Sequence, residues 1–399
     1  MRTRSQLIVI CLMLSGLFFS SQGLAAKKKR RRQNLKPITH PVILWSRTLA
    51  ETEDSEQKKV AAFKLSQYSQ PIYQDSVIST LISCLKDTDE QIRILCAKAL
   101  GNAGNQSKRA MVRSTLLETF KTDPSLRETL IRTFIARDDD SKEVQNLFLE
   151  ALSKSENSHE ILALLAYFFE CGKGVGPEPF IAVFNKNKDE RIRRRAIKVL
   201  AERGNGESSV VDLLANCAES QDTPLALTCL SGLQLQTRKD SARTWVALEK
   251  TLESSDPDML IATLDVLNVL PERINSPLTK RLIEIIAEAE DTDVVDKAIL
   301  GLGVCGDQSQ AIVNSLERIM TSTDFPESTK IHAALVLGKQ ASLFPDSPKQ
   351  VLSQCLKNSP SQSLKTACQL GSQELSSRMR SGGRVPATSG PDLKPSPKS

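Results

Sequence analysis

Apolar residues recur three and four positions apart along most of this chain, and they do so in blocks that repeat. The stretches DTDEQIRILCAKALGNAG (87–104) and KDERIRRRAIKVLAERG (188–204) align so that Ile92, Arg93, Cys96, Lys98, Leu100 and Gly104 meet Ile192, Arg193, Ala196, Lys198, Leu200 and Gly204. TDVVDKAILGLGVCG (292–306) puts Val294, Ala298, Leu302 and Gly306 in the same slots. Weaker copies begin near 123, 159, 223, 256, 328 and 361. Each copy is apolar at i, i+4 and i+8, which lines one face of a helix; most open on Asp or Ser and close at or near Gly, read as N-cap and C-cap. Upstream of each lies a second amphipathic stretch, as in 76–87, 179–189 and 279–291.

The unit is therefore a helix, a tight turn and a helix. From Pro41 to Ser376 the pattern predicts ten such hairpins and no strand-like alternation. One hairpin cannot bury its apolar face alone, whereas stacked neighbours can, so the expected architecture is an all-α, right-handed α-solenoid that folds as a block. The chain of 399 residues exceeds the size at which a single core stops growing, which agrees with growth by repetition.

These residues resemble the HEAT-repeat family, closely over Asp89 to Gly104 and Asp189 to Gly204 and more loosely elsewhere, across roughly 340 residues as an architecture. The resemblance implies a ladder in which the Asp and Arg of successive repeats pair: Asp89, Asp123 and Asp189 with Arg93, Arg127 and Arg193. Ala226 occupies the Arg slot in a later repeat, so the ladder is expected to break in the C-terminal half.

Charge is uneven. The net +6 comes from the ends: residues 1–36 hold nine Lys or Arg and no acid, and 377–399 add five more bases, leaving an acidic body. Such a body is a poor phosphate binder, so nucleic acid is not the expected partner. Met1 to Ala25 reads as a secretory signal, with Arg2 and Arg4, an apolar run from Leu7 to Phe19, and small residues at Gly23 and Ala25. The protein is expected to be exported, to the periplasm or beyond. Its rival is a retained membrane anchor, because the block Lys27 to Arg32 resists translocation. That block is also the one feature suited to an anionic membrane surface. Residues 26–36 and 377–399 read as a disordered leader and tail around a repeat region at 37–376.

Eight cysteines follow the signal, and Cys84/Cys96, Cys217/Cys229 and Cys355/Cys368 recur at nearly fixed spacing, which invites pairing in an oxidising compartment. The competing expectation is preferred. Cys96 and Cys229 fall in the slot of Ala196 and Ala298, a place for a small buried residue; with Cys84 near the turn and Cys96 about two turns beyond it, a link needs a poor geometry. Buried thiols are expected.

Signals for chemistry are weak. The three histidines, His40, His159 and His332, are isolated, so no zinc-ligand spacing exists. Cys171 lies twelve residues from His159 on one helix, about 18 Å away and too far for nucleophile and base. Cys171 to Pro177 is Gly-rich but lacks a phosphate-loop ending, and reads as a link. Asp87, Asp89, Asp189, Asp256 and Asp291 read as helix caps. No catalytic group, cofactor, metal or small-molecule substrate is expected. The function expected is a non-catalytic protein-binding scaffold of the cell envelope; the rivals are an enzyme or enzyme subunit, as in the lyases and glycosylases with similar repeats, and a cytoplasmic nucleic-acid binder using the basic arm. Candidate partner-binding residues are Arg191, Arg194, Arg195 and Lys198; the three arginines are surplus to the repeat pattern, whereas Lys198 has its counterpart in Lys98.

Overall fold

The computed structural model describes residues 40–104, 106–236 and 242–380. Among these the chain forms ten helical hairpins, each an A helix followed by a B helix. The pairs are α1 Pro41–Glu51 with α2 Ser55–Ser66, α3 Asp75–Cys84 with α4 Glu90–Leu100, and α5 Arg109–Thr122 with α6 Arg127–Ala136. Next come α7 Lys142–Lys154 with α8 Ser158–Glu170, α9 Glu178–Lys186 with α10 Glu190–Arg203, and α11 Ser208–Ala218 with α12 Thr223–Gln236. The array ends with α13 Ala242–Thr251 and α14 Pro257–Leu267, α15 Ser276–Glu288 and α16 Thr292–Cys305, α17 Gln310–Thr321 and α18 Glu327–Gln340, and α19 Asp346–Asn358 and α20 Gln362–Arg380. The nine repeat copies legible in the sequence are the B helices α4 to α20. The last helix runs to Arg380, four residues past the expected boundary at Ser376. The leader and the rest of the tail lie outside the described residues.

Capping starts most B helices. Asp54, Asp89, Asn157, Asp189, Asp256 and Asp291 each accept a backbone N–H of the following turn, at 2.8–2.9 Å for the nearest donor. Asp87 instead accepts from Asp89 N and pairs with Lys58. The apolar stripe then turns inward: Ile92, Cys96 and Leu100, or Val294, Ala298 and Leu302, are all buried. Between every two neighbouring hairpins the B helices share a larger contact than the A helices do, although α1 with α3 and α11 with α13 also pack along each other. Tighter packing on one side curves a stack toward that side, so the B helices form the inner face.

The stack is also tied by a contact that the repeat pattern does not announce. Fourteen residues after the cap, Arg137, Arg203, Gln236 and Gln340 reach back to the preceding B helix and donate to its last-turn carbonyls. Arg137 Nη1 meets Leu100 O at 2.9 Å, Arg203 Nη2 meets Phe169 O at 2.8 Å and Gln340 Nε2 meets Leu302 O at 2.7 Å. Gln236 Nε2 does the same to Ala201 O. Leu100 O and Leu302 O already accept from Ala103 N and Gly306 N, so there the side chain takes the carbonyl's second lone pair and fastens one repeat to the next.

The expectation of buried thiols is corrected. Cys84–Cys96, Cys217–Cys229 and Cys355–Cys368 are disulfides, with Cα separations of 6.1, 5.8 and 6.3 Å. The slot is small and buried, as the alanine register requires, but its neighbour across the hairpin is the second cysteine. Past Cys84 the chain continues to coil, through Leu85 N to Ile82 O, Lys86 N to Ser83 O and Asp87 N to Cys84 O, before it reverses. Cys84 therefore lies a turn short of the reversal, and the two antiparallel helices bring it opposite Cys96. The staples fall in the second, sixth and tenth hairpins. Cys171 and Cys305 remain as buried thiols, both at the position fourteen after a cap. Burial pushes them up to about 11 and about 12, away from the reactive thiolate. Non-reducing peptide mapping should find three links within hairpins and two thiols that resist alkylation until the chain unfolds. Each link should add roughly 3 kcal/mol to stability, as expected for a loop of this length.

Candidate functional site

The candidate residues lie on α10. Its cap, Asp189, orders the first turn and then holds Arg191, whose Nη2 stands 2.8 Å from Asp189 Oδ2. Arg193 is half-buried with its guanidinium over the Phe184 ring, 4.5 Å from the centroid, and Arg195 lies likewise over Phe169 of α8 at 5.2 Å. Arg194 and Lys198 are left. They sit one turn apart on the inner face, Arg194 half-exposed and Lys198 exposed, with no ion pair among the described residues. Glu190 and Glu202 stand one turn before Arg194 and one turn after Lys198, the spacing at which opposite charges on a helix attract, so the face alternates in balance although neither cation forms a close ion pair. Of the four candidate cations, Arg191 and Arg195 are held by Asp189 and Phe169, while Arg194 and Lys198 have no close partner among the described residues.

Neighbouring rungs of the inner face are different. On α8 the corresponding positions are Leu162, Ala166 and the exposed Glu170, and on α12 they are Leu227, Ser231 and Leu235, the last 59% exposed. Where other inner rungs carry charge, it is mostly neutralised. Arg132 pairs with Glu128 on α6 at 2.9 Å, Asp265 of α14 holds Lys297 of α16, and Asp296 of α16 faces His332 of α18 at 3.4 Å. Lys98 on α4 is exposed but stands alone in its rung. The α10 rung carries Arg194 and Lys198 flanked by Glu190 and Glu202, beside α8 and α12 rungs with fewer charges.

The ladder forms only in the N-terminal half. Lys59 Nζ meets Asp89 Oδ2 at 3.0 Å, Arg93 Nε meets Asp123 Oδ2 at 2.9 Å, and Arg127 Nη1 stands 3.5 Å from Glu160 Oε1, a Glu taking the place of Asp. Asp189 receives nothing from the repeat before it, since Ile161 fills the Arg slot there. Arg193 likewise reaches no Asp, because Phe184 offers it an aromatic face instead; losing Arg193 strands no carboxylate. Burial pushes Asp123 up, but its bonds to Ser125 and Arg93 outweigh that and hold it low. Lys59 does the same for Asp89.

A second charged group escaped the sequence reading. Asp139, fully buried in the α6–α7 link, accepts both carboxylate oxygens' contacts from Arg113 Nε, at 2.8 and 3.1 Å. Tyr167 of α8 donates to Asp139 O at 2.7 Å, so the third and fourth hairpins are fastened at this loop. The one available signal was the run Arg137-Asp138-Asp139-Asp140, too polar for a simple link. The group is internally neutralised and reads as a fastener.

Among the described residues no group of three or more His, Cys, Asp or Glu could hold a metal ion, and no helix is long and apolar enough to cross a membrane. The Cys171 to Pro177 stretch is the α8–α9 link, with Gly174 at φ +78°. A polar cavity of about 260 Å³ at the end of α4, beside Arg109 and Arg137, brings together no nucleophile and base.

Comparison with known proteins agrees on fold alone. No family profile and no curated protein matches the chain. Solved structures do: an engineered protein aligns at TM-score 0.54 and 17% identity, over 85% of this chain and 99% of that one. Kap121p bound to Ste12p aligns at TM-score 0.50 and 12% identity, over 84% of this chain. The chain spans about two fifths of Kap121p, 41% of its length. This chain is a helical repeat solenoid.

Proposed function

We propose that this protein is a non-catalytic scaffold that binds another protein along its inner, B-helix face, and that it works outside the cytoplasm. The observation that carries the reading is the exposed side of the B helices, where Leu235, Val269 and Leu335 stay open to solvent beside Arg194 and Lys198, which form no close ion pair. The likeness to Kap121p, which is seen bound to Ste12p, supports a solenoid of this kind holding a protein. Export is supported by the signal-like order of residues 1–25 and by three disulfides, which persist in oxidising compartments. Lys27 to Arg32, outside the described residues, would add attraction to an anionic membrane surface.

Two measurements test this. N-terminal sequencing of the protein from fractionated cells should start at or next to Ala26; an intact Met1 in cytoplasmic material would end the export reading. A photo-crosslinking residue at Ser231 on the inner face should trap a partner that the same residue at Glu118, on the outer A-helix side, does not. Equal trapping at both places would end the inner-face reading.

A further inference from the structure

The three staples are built alike but are not equally accessible, and we infer that the last, Cys355–Cys368, is a redox-operated fastener: exchange with a dithiol protein opens it and releases helix α19 from an array that otherwise stays closed. In each hairpin the first cysteine's Sγ lies against the carbonyl three residues after the B-helix cap position, 3.8 Å from Ile92 O, 4.0 Å from Leu225 O and 3.9 Å from Leu364 O. Cys84, Cys96, Cys217, Cys229 and Cys368 are buried, whereas Cys355 is partly open to solvent. Position accounts for the difference. Hairpins two and six lie between neighbours, and among the described residues no hairpin follows α20. An exposed disulfide sulfur is the one that a reductant reaches first.

The helix that this staple holds is the least anchored of the array. Only Pro348 and Leu352 of α19 are buried, whereas α11, which carries the staple of the sixth hairpin, buries Val210, Val211, Leu214, Ala215, Cys217 and Ala218. Helix α20 is secured by other means. Gly371 meets α18 so closely that a Cβ there would run into Ala334 O, and Arg378 in the last turn stands 3.7 Å from Glu272 of the α14–α15 link. Losing the staple therefore frees α19 and leaves α20 docked, because a segment with few buried contacts is the first to open locally. In the exchange, a thiolate of the dithiol attacks Cys355 Sγ and the Cys355–Cys368 bond breaks. Cys368 leaves with the electron pair and takes up a proton. The reductant's second thiolate then attacks its own sulfur in the mixed disulfide, Cys355 leaves and is protonated, and the reductant closes its disulfide, having passed two electrons and two protons to the staple.

The test titrates the full oxidised chain with dithiothreitol, blocks the thiols that form and maps them by mass. Cys355 and Cys368 should be labelled at a concentration about ten-fold or more below the one that opens Cys84–Cys96 or Cys217–Cys229. At that point amide exchange in α19 should run about ten-fold faster or more, with α18 and α20 unchanged. A Cys-X-X-Cys dithiol protein lacking its second cysteine should be trapped on Cys355. The double variant C355S/C368S should show the fast α19 exchange with no reductant present, again with α18 and α20 protected. Earlier or simultaneous opening of either other staple, trapping on Cys368, or unchanged α19 exchange after reduction overturns the inference. So does joint loss of α19 and α20 protection, which would show that the staple holds the whole last hairpin and not α19 alone.

Discussion

Replacing Gly371 with Val should unfasten the last hairpin from the array while hairpins one to eight keep their protection. Helices α18 and α20 meet backbone to backbone: a Cβ on Gly371 would run into Ala334 O, and one on Gly338 into Gly371 O. The obstacle is backbone and cannot rotate away. Overpacking of this kind costs about 1–3 kcal/mol and occasionally more, and a branched residue in a backbone-to-backbone contact belongs at the upper end. Even Gly371→Ala, which gains up to about 1 kcal/mol of helix propensity, should come out destabilising. Gly303→Ala is the control, because its Cβ would meet only Val336 Cγ2 at 3.3 Å, a side chain able to give way, and it should be neutral or stabilising. Amide exchange reads both outcomes by segment. Retained protection of α20 in Gly371→Val would show that the helices can separate at no cost.

Asp139→Ala should be comparably damaging, for an electrostatic reason. It removes the partner of Arg113 at a fully buried position and leaves the half-buried Arg137 guanidinium, already pushed down by burial, without the nearest charge that favours it. Breaking one side of a buried pair costs about 3–5 kcal/mol, against at most about 1 kcal/mol for an exposed pair such as Lys154–Glu150. The urea midpoint of the variant checks this, and a shift no larger than that of Glu150→Ala would overturn it. A pH signature accompanies it. Burial pushes Asp139 up, yet Arg113 and Ser141 outweigh it and hold the carboxyl below its usual 3.8. Its stabilisation is complete above about pH 4 and is lost as pH falls through the lowered folded value, so wild type should lose stability on the acid side more steeply than Asp139→Ala.

How far the sequence anticipates this structure depends on the range of the interaction. The B helices follow from apolar spacing and capping residues, both local, and Asp89, Asp189, Asp256 and Asp291 cap as their positions predict. The terminal glycines are read less well. Gly204 and Gly306 do cap α10 and α16, but α4 stops at Gly101, three residues before the predicted Gly104, and Gly338 and Gly371 lie inside helices, where a missing side chain serves a neighbouring helix instead of a turn. The disulfides turn on where the chain reverses, a detail of one residue or two that periodicity does not resolve. The contacts from Arg137, Arg203, Gln236 and Gln340 join residues more than thirty apart, and only a long polar side chain in a last turn hints at them. At the candidate face the surplus of cations was legible, but their division was not: Phe169 and Phe184 come from other helices, and they decide that Arg194 and Lys198 are the pair without a close partner.

The placing of the three staples also bears on how the array answers a pull. Each bridges two helices of one hairpin, across 12, 12 and 13 positions of chain, and none joins a hairpin to the next. Tension applied along the stack is therefore borne first by the helix-to-helix contacts between repeats, which can part and close again like the turns of a spring. The oxidised bonds set instead how much slack the chain can release once a repeat gives way, so the redox state of the surroundings limits its reach and leaves its elasticity alone.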